Sequence, residues 1–418
     1  MAVAGGTTSA ACLGANVELL KEASVNWPVL VYDAIVIGAR CAGASTAMLL
    51  ARAGHSVLLV DRARFPSEIP HGHFIHRHGP ARLSRWGLLD RVLATGCPAV
   101  TSLLVDFGDF ALVGHELVVD GVPVGLGPRR GALDRILVNA AVEAGAELRE
   151  GFVIDELVFD DGRVVGVDGR GGGKRVRERA RFVIGADGRN SGVAKQVQAR
   201  AYDAVPTLTI WYFSYWNGVP GEALELYQSG RRIIFAFPTN DELYAVFVGW
   251  PAAELHSVRR DPEEALLAAV DLAPELAERV RGGRRAERLL GATQLPNFLR
   301  RAGGPGWALV GDAGCHKDPY SALGVCDAFR DAELLADALV DSLSNRRSEA
   351  EALGEYERQR NQATMEDYRR NLQQAQLNQP PAEVLEVRAS LRGDQAATNR
   401  YMLEGEGLIA PDRIEPSD

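Results

Sequence analysis

The sequence predicts an α/β protein: a Rossmann-like nucleotide-binding domain in several segments, an inserted, mostly antiparallel β-sheet, and C-terminal helices. Residues 32–62 have the strand–turn–helix–strand pattern of a βαβ unit. Residues 207–250 alternate aromatic or β-branched residues with polar ones and contain turn residues, which is typical of an antiparallel meander. Residues 307–310 form another buried-strand pattern far along the chain, which a simple tandem of two domains would not produce.

The N-terminal βαβ pattern has the features of a dinucleotide site. The first strand reaches a tight turn at Gly38, and the next helix directs its N-terminal N–H groups at that turn, where its dipole favours an anion. Gly43 lacks a Cβ and lets the helix pack closely on the strand. Asp61 ends the second strand, where a carboxylate accepts hydrogen bonds from ribose hydroxyls.

Two arginines accompany this motif. Arg40 replaces the usual second glycine, which gives G-x-R-x-x-G and could place a guanidinium near the phosphates. Arg62 follows the strand-end acid and is a predicted cofactor contact. A βαβ unit without a ligand is the alternative interpretation, but it does not explain a strand that stops on Asp61 at the interval the fingerprint requires.

Two later strands also end on an acid. One stops at Gly-Ala-Asp187-Gly188, and Ser191 follows where it could cap a helix. The other stops at Gly311-Asp312. Either motif alone can occur by accident, but both motifs in this order after the βαβ unit are a more specific sign of a nucleotide-binding site.

Together these motifs resemble the flavin-dependent aromatic hydroxylase superfamily, the single-component FAD monooxygenases of the p-hydroxybenzoate hydroxylase fold. Geranylgeranyl reductases and flavin-dependent halogenases share that fold. The resemblance covers residues 32–345 and implies that Gly38, Gly43 and Asp61 hold the ADP half of FAD. It also implies that Asp187-Gly188 contacts FAD and NAD(P)H.

The same resemblance assigns the late motif to the flavin end of the cofactor. It implies that Asp312 binds the ribityl chain, and that Pro319 and the segment Gly324-Val325 lie beside the isoalloxazine. Arg130 begins an Arg-x-x-Leu-Asp segment that contacts FAD in the family. Cys315 stands where a histidine is usual, which is a departure from the family pattern.

The resemblance implies an FAD-dependent, NAD(P)H-consuming monooxygenase that hydroxylates an aromatic or polyketide-like small molecule with O₂ through a flavin C4a-hydroperoxide. A C=C reductase of the geranylgeranyl reductase type is the first alternative. A halogenase is a weaker one, because the signature Trp-x-Trp-x-Ile-Pro is absent. A flavin-binding protein without turnover is the alternative from a different class.

Catalytic and substrate-binding residues are predicted from the loop after Asp61 and from the aromatic segment. Histidines at positions 71, 73, 76 and 78 lie close together, and we expect His73 and His76 to act in acid–base chemistry or substrate orientation near the flavin. Their spacing does not favour a metal site, and a solvated loop without a role stays an alternative. The remaining predictions are Tyr215 and Pro319 as catalytic residues, with Trp211 and Tyr227 as substrate contacts.

Net charge and composition limit the kinds of partner and the cellular location that we expect. The net charge of −9 argues against nucleic acid, which needs a concentrated positive surface. No apolar run approaches the length of a membrane span. Five scattered cysteines without a C-x-x-C pair suit a reducing cytoplasm, so we expect a cytoplasmic protein. The oligomeric state, monomer or homodimer, stays open.

The predicted organisation combines a segmented Rossmann-like FAD-binding domain with an inserted β-sheet substrate domain. In the hairpin segment we expect strands at 102–107 and 115–119. The predicted segments are 1–28 (flexible N-terminal lead), 29–100 (FAD-binding segment 1), 101–128 (substrate-domain hairpin), 129–200 (FAD-binding segment 2), 201–300 (substrate-binding β-sheet domain), 301–345 (FAD-binding segment 3) and 346–418 (C-terminal helical tail).

Overall fold

A computed structural model of the chain describes residues 31–67 and 72–410. The predicted N-terminal lead and the first histidine of the cluster, His71, lie outside the described residues. The first described segment comprises β1 (Val31–Ile37), α1 (Cys41–Arg52), β2 (Val57–Asp61), β3 (Ile75–His76), α2 (Gly79–Arg85) and α3 (Leu89–Leu93). The hairpin segment comprises β4 (Ala99–Val100), β5 (Leu103–Asp106), β6 (Ala111–Gly114), β7 (Val118–Val119), β8 (Val122–Pro123) and β9 (Gly125–Leu126).

The middle of the chain alternates between the two sheets. It begins with α4 (Arg130–Glu143), β10 (Glu147–Glu150), β11 (Val153–Asp160), β12 (Arg163–Gly171), β13 (Lys174–Gly185), α5 (Gly192–Gln196) and β14 (Ala201–Val205). It continues with β15 (Thr209–Asn217), β16 (Leu224–Ser229), β17 (Arg232–Pro238), β18 (Leu243–Pro251), α6 (Leu255–Val258), α7 (Pro262–Val270) and α8 (Pro274–Gly282).

The last part returns to the first sheet and ends in helices. Its strands are β19 (Arg284–Arg285), β20 (Leu290–Ala292), β21 (Asn297–Arg300), β22 (Gly303–Gly304), β23 (Trp307–Leu309) and β24 (Cys315–His316). Its helices are α9 (Gly324–Leu343), α10 (Glu349–Gln374), α11 (Ala382–Ala389) and α12 (Gln395–Gly405). Short 3₁₀ turns lie at Ala252–Glu254, Gly311–Ala313 and Pro319–Ser321.

The first sheet contains five parallel strands, β10, β2, β1, β13 and β23. Its order is β10-β2-β1-β13-β12-β11, and β23 also pairs with β13. The pairs β1–β2, β1–β13 and β13–β23 are parallel, with Ile37 opposite both Val60 and Gly185, and Gly185 opposite Leu309. The carboxyl ends of these strands therefore share one edge of the sheet. Helices α1, α4 and α9 pack together beside it, which explains why β1 and β2 are nearly continuous apolar runs.

The second sheet has the order β19-β15-β18-β17-β16-β5-β6. Side chains alternate along β15: Trp211, Phe213 and Tyr215 join one apolar cluster, whereas Ile210 and Trp216 join the cluster on the opposite face. We call the face that carries Trp211, Phe213 and Tyr215 the aromatic face. The parallel first sheet, the mostly antiparallel inserted sheet and the C-terminal helices confirm the predicted fold class.

The hairpin prediction was wrong in its second strand. The strand that pairs with β5 is Ala111–Gly114, and 115–119 contributes only the two-residue strand Val118–Val119. The turn comes directly after Asp106, because the Asp106 carboxylate accepts the Gly108 N–H at 2.6 Å and the Phe107 N–H donates to the Phe110 carbonyl at 2.9 Å. An aspartate that folds back on its own backbone ends the strand early.

Candidate active site

The turn after β1 is tightly packed. Gly38 has φ +102°, a conformation that glycine adopts without strain. A Cβ added at Gly43 would lie 1.7 Å from the Gly38 carbonyl oxygen, so only glycine fits there. No side chain caps the N-terminus of α1. The helix therefore directs backbone N–H groups and the positive end of its dipole at the sheet edge, as an anion site requires.

Asp61 fixes this turn from the end of β2. One of its oxygens accepts the Ala39 N–H at 2.8 Å, and the other accepts the Ala63 N–H at 2.7 Å. Each carboxylate oxygen has a further lone pair with which it can accept a ribose hydroxyl. Arg62 is exposed beside it.

Asp187 lies against the same turn. A Cβ at Gly38 would be 3.2 Å from the Asp187 nitrogen. Its Oδ2 accepts the N–H groups of Gly192 and Val193 at the start of α5, at 2.7 and 3.2 Å. Its Oδ1 is buried and has no hydrogen-bond partner among the described residues. Such a buried acceptor is costly unless a bound group supplies a donor. Gly188 follows at φ +77°.

A buried carboxylate that sequence reasoning missed joins two predicted contacts. Asp134 is fully buried and accepts hydrogen bonds from Arg40 at 2.8 Å and from Arg130 at 3.0 Å. Burial opposes the charge of Arg130, but nearby Cys41, Asp134 and Asp312 hold its pKa above the ordinary value. Asp312 therefore lies within electrostatic range of Arg130. Asp134 ends the Arg-x-x-Leu-Asp segment, but the spacing of that segment does not show that its carboxylate pairs with Arg40.

Gly311 and Asp312 bring the end of β23 to the same place. Gly311 has φ +60°, and a Cβ there would lie 2.7 Å from the Ala42 Cβ in the first turn of α1. Further on, α9 begins at Gly324 without a side-chain cap, and a Cβ at Gly324 would meet nothing within 4 Å. Val325 is buried behind it. The start of α9 thus offers backbone N–H groups beside open space.

The turn that contains Pro319 is tied to the aromatic face. Asp318 caps it by accepting the Tyr320 N–H at 3.1 Å. The same carboxylate accepts the Thr209 hydroxyl at 2.7 Å, and Trp211 donates its indole N–H to that hydroxyl oxygen at 2.7 Å. Burial raises the pKa of Asp318. Trp211 therefore helps to position the turn.

His73 and Tyr215 meet on the aromatic face. The Tyr215 hydroxyl lies 3.0 Å from His73 Nε2, and His73 Nδ1 lies 3.2 Å from the Gly127 carbonyl oxygen. Burial, together with the charges of Arg129 and Arg130, lowers the pKa of His73 to about 3. The ring is therefore neutral near pH 7. Since a carbonyl can only accept, Nδ1 carries the proton and Nε2 accepts the Tyr215 O–H.

The structure does not bring His76 and Tyr227 into this pair. His76 Nδ1 lies 2.6 Å from a Glu406 carboxylate oxygen, and its Nε2 lies 3.0 Å from the Ser321 carbonyl oxygen. Tyr227 packs on the opposite face of the sheet and donates its hydroxyl to Glu225 at 2.7 Å. Both residues stay predictions.

The remaining predictions concern metals and membranes. Within residues 31–67 and 72–410, no group of three or more His, Cys, Asp or Glu side chains is placed to hold a metal ion. No helix in the same part of the chain is both long and apolar enough to cross a membrane.

Comparison with known proteins shows the family to which the chain belongs. Residues 31–370 match the family described as "FAD binding domain". The chain belongs to this family of FAD-dependent oxidoreductases. The match covers all three acid-tipped strands, so the predicted resemblance is confirmed at the level of the family.

Similar proteins within the family have different activities. The chain is 22% identical over 325 residues (75% of this chain, 78% of the relative) to 1H-pyrrole-2-carbonyl-(peptidyl-carrier protein) brominase of Pseudoalteromonas luteoviolacea. It is 24% identical over 336 residues (78% and 82%) to digeranylgeranylglycerophospholipid reductase of Methanocella arvoryzae. The solved structure of pqsL, a probable FAD-dependent monooxygenase from Pseudomonas aeruginosa, aligns with a TM-score of 0.71 at 22% identity (89% and 99%). The likeness to that structure shows the fold alone.

Proposed function

We propose that this protein is an FAD-dependent, NAD(P)H-consuming monooxygenase that hydroxylates an aromatic or polyketide-like small molecule. The observation that carries the proposal is the His73–Tyr215 pair among aromatic rings, in which Tyr215 shares an apolar cluster with Tyr320 of the Pro319 turn. Phe213 and Phe247 stack at 4.3 Å between centroids, and Phe237 stacks on Phe247 at 5.7 Å. Flat apolar walls with few polar groups suit a planar substrate.

The residues at the sheet edge fit FAD. The start of α1 would receive the pyrophosphate, Asp61 the adenosine ribose and Asp312 the ribityl chain. The buried Asp187 Oδ1 would gain the donor that it lacks. The start of α9 would face the isoalloxazine, where a positive dipole end stabilises negative charge. When bound and reduced by NAD(P)H, the flavin supplies the activation of O₂, which no side chain can provide.

The chain's own residues would orient the substrate and exclude water. His73 is neutral, so it takes no part as an imidazolium acid near pH 7. Its Nε2 accepts the hydrogen bond of the Tyr215 hydroxyl, which fixes the orientation of the phenol on the aromatic face. Tyr215 and His73 are 5% and 1% exposed, so the site excludes water, which protects reactive oxygen species from side reactions.

Paired oxygen and product measurements test the proposal. The FAD-loaded protein is mixed with NADH or NADPH and a panel of phenols, aminobenzoyl compounds and polyketide-like aromatics, and O₂ uptake is recorded. We expect one or more compounds to accelerate NAD(P)H oxidation and to gain one oxygen atom from ¹⁸O₂. NAD(P)H-driven reduction of a C=C bond without O₂ would contradict the proposal.

Two alternatives come from the relatives. The similarity to the phospholipid reductase supports a C=C reductase, which would convert a prenyl substrate anaerobically. The similarity to the brominase supports halogenation, which would require a halide ion for turnover. The absence of Trp-x-Trp-x-Ile-Pro, for which Tyr215-Trp216-Asn217-Gly218-Val219-Pro220 is only a faint echo, argues against the second alternative.

A further inference from the structure

The chain continues beyond the part that matches the family, which ends at residue 370. We call residues 379–408, which include α11 and α12, the C-terminal cover. Met402 of α12 is buried in the same apolar cluster as Trp211 and Tyr215. A Cβ at Gly114 of β6 would lie 2.5 Å from the Met402 sulfur, so α12 packs directly on the hairpin β5–β6. The cover therefore closes one side of the cluster that contains the aromatic face.

The cover also reaches the Pro319 turn. Arg388 of α11 hydrogen-bonds the Tyr401 hydroxyl at 2.8 Å, and its guanidinium lies 4.6 Å from the Phe107 ring centroid. Its charge also acts on the Tyr320 hydroxyl, which follows Pro319 directly. The cover thus extends from the hairpin to the turn beside the proposed flavin position.

Polar contacts at two places fasten α12. Near the C-terminal end of α12, the Glu406 carboxylate accepts a hydrogen bond from His76 Nδ1. His76 Nε2 faces the Ser321 carbonyl oxygen. His76 and Arg77 hold the pKa of Glu406 below its ordinary value despite burial, so the glutamate is a carboxylate.

The second fastening is Asn399. Its side-chain oxygen accepts the His115 N–H at 3.0 Å, and its amide donates to the His115 carbonyl at 2.9 Å. Few residues of the cover are fully buried. Helix α11 has no buried residue, and α12 has only Thr398 and Met402. The other apolar contacts come from partly buried side chains, Leu391, Tyr401, Leu403 and Leu408. A segment with few buried contacts detaches at a small fraction of the cost of global unfolding.

We propose that the C-terminal cover is the gate through which an aromatic substrate reaches the aromatic face, and that the His76–Glu406 pair is its latch. The substrate class that we assign to this gate depends on the proposed function. His73 and Tyr215 are buried, so a substrate can reach them only if a covering element moves. Only Thr398 and Met402 of the cover are buried, and its polar contacts can be exchanged for water without disrupting the main core. His76 is then a positioning residue.

Hydrogen exchange of the full-length, FAD-loaded protein tests the latch. Glu406→Gln removes the carboxylate and keeps the shape. Glu404→Gln is the matched control, since Glu404 pairs with Arg400 on the same helix at 2.8 Å. We expect Glu406→Gln to speed exchange about tenfold in α12 and in the hairpin β5–β6, the scale for losing a charged hydrogen bond, while β1 and β2 stay unchanged. Asn399→Ala, which releases the second fastening, should do the same if Glu406→Gln does not fold.

Stopped-flow binding of the fluorescent aromatic probe 8-anilinonaphthalene-1-sulfonate tests gating. We expect about fivefold faster association with Glu406→Gln than with the wild type or Glu404→Gln, since opening is limiting. Faster exchange without faster probe association would overturn the gate, and unchanged exchange in both released variants would overturn the latch. Neither readout depends on turnover, so a failure of the monooxygenase proposal would show separately, as absent O₂ uptake.

Discussion

At the scale of single residues, Asp134 shows what the sequence could and could not predict. The glycines and Asp61 are recognisable because backbone geometry dictates them at fixed spacings. Asp134 depends instead on α4 packing against α1, which brings Arg40 and Arg130 to one carboxylate. Arg40, predicted beside the phosphates, is thereby anchored to Asp134 at the start of α1. Contacts between helices distant in sequence have no signature in local spacing.

Replacing Asp134 should destabilise the fold strongly. Asp134→Ala leaves the buried Arg130 without its carboxylate, which typically costs about 3–5 kcal/mol. Arg40→Ala is the comparison, and its cost should be smaller because that side chain is 24% exposed. Urea denaturation of both variants measures the difference. A loss below about 1 kcal/mol for Asp134→Ala would contradict the assigned role of this carboxylate.

His73 should make the protein sensitive to acid. Its folded pKa of about 3 is below the unfolded value, so the unfolded state binds the additional proton as pH falls below about 6.5. The contribution of neutral His73 to the free energy of unfolding is therefore complete above about pH 6.5. It is lost as the pH falls towards 3, at up to about 1.4 kcal/mol per pH unit. His73→Gln should flatten the pH dependence of the unfolding free energy in this range. His256 is exposed, so His256→Gln should leave that pH dependence unchanged. If the unfolding free energy of the wild type and of both variants had the same slope against pH, His73 would not be buried in its neutral form.

Asp312 should contribute to cofactor affinity. Removing a charged acceptor from the ribityl chain should weaken FAD binding by about 1.5–3 kcal/mol, or roughly 10- to 150-fold. Titration of apoprotein with FAD, followed by flavin fluorescence, compares Asp312→Ala with the exposed Asp90→Ala. Equal FAD affinities of the two variants would show that Asp312 does not contribute to FAD binding.

At the scale of elements, the second sheet shows what a period-two pattern cannot predict. Alternation identified the strands, but the face of a strand depends on its register with its neighbours. Tyr227 lies opposite Ile234, Ile234 opposite Val248, and Val248 opposite Tyr212, so the whole row shares the face away from Trp211 and Tyr215. Local sequence does not contain that register, which is why Tyr227 was grouped with Trp211.

The packing of α1 on its turn should depend on Gly43. In Gly43→Val, the new Cβ would meet the Gly38 carbonyl oxygen at 1.7 Å, which forces helix and turn apart. We expect insoluble or colourless protein. Gly354→Val is a control in α10, where a Cβ meets nothing within 4 Å. Absorbance at 450 nm in the soluble fraction measures both, and a soluble, fully FAD-loaded Gly43→Val protein would contradict the close packing.

At the scale of the whole molecule, separated motifs meet because parallel strands share their direction. The sequence predicted that strands ending on Asp61, Asp187 and Asp312 belong to one site, and the register of β2, β1, β13 and β23 puts their carboxyl ends along one edge. The segment that forms the C-terminal cover was predicted only as part of the helical tail at 346–418. Its contacts with His76 and His115 span 330 and 284 residues, and no pattern in the chain connects them.

The visible spectrum of the purified full-length protein, with quantification of the released flavin, tests the central claim most directly. We predict a yellow protein that absorbs near 450 nm, releases FAD and not FMN on denaturation, and approaches one FAD per chain after incubation with the cofactor. A folded protein that stays colourless and shows no binding when titrated with FAD would contradict the account.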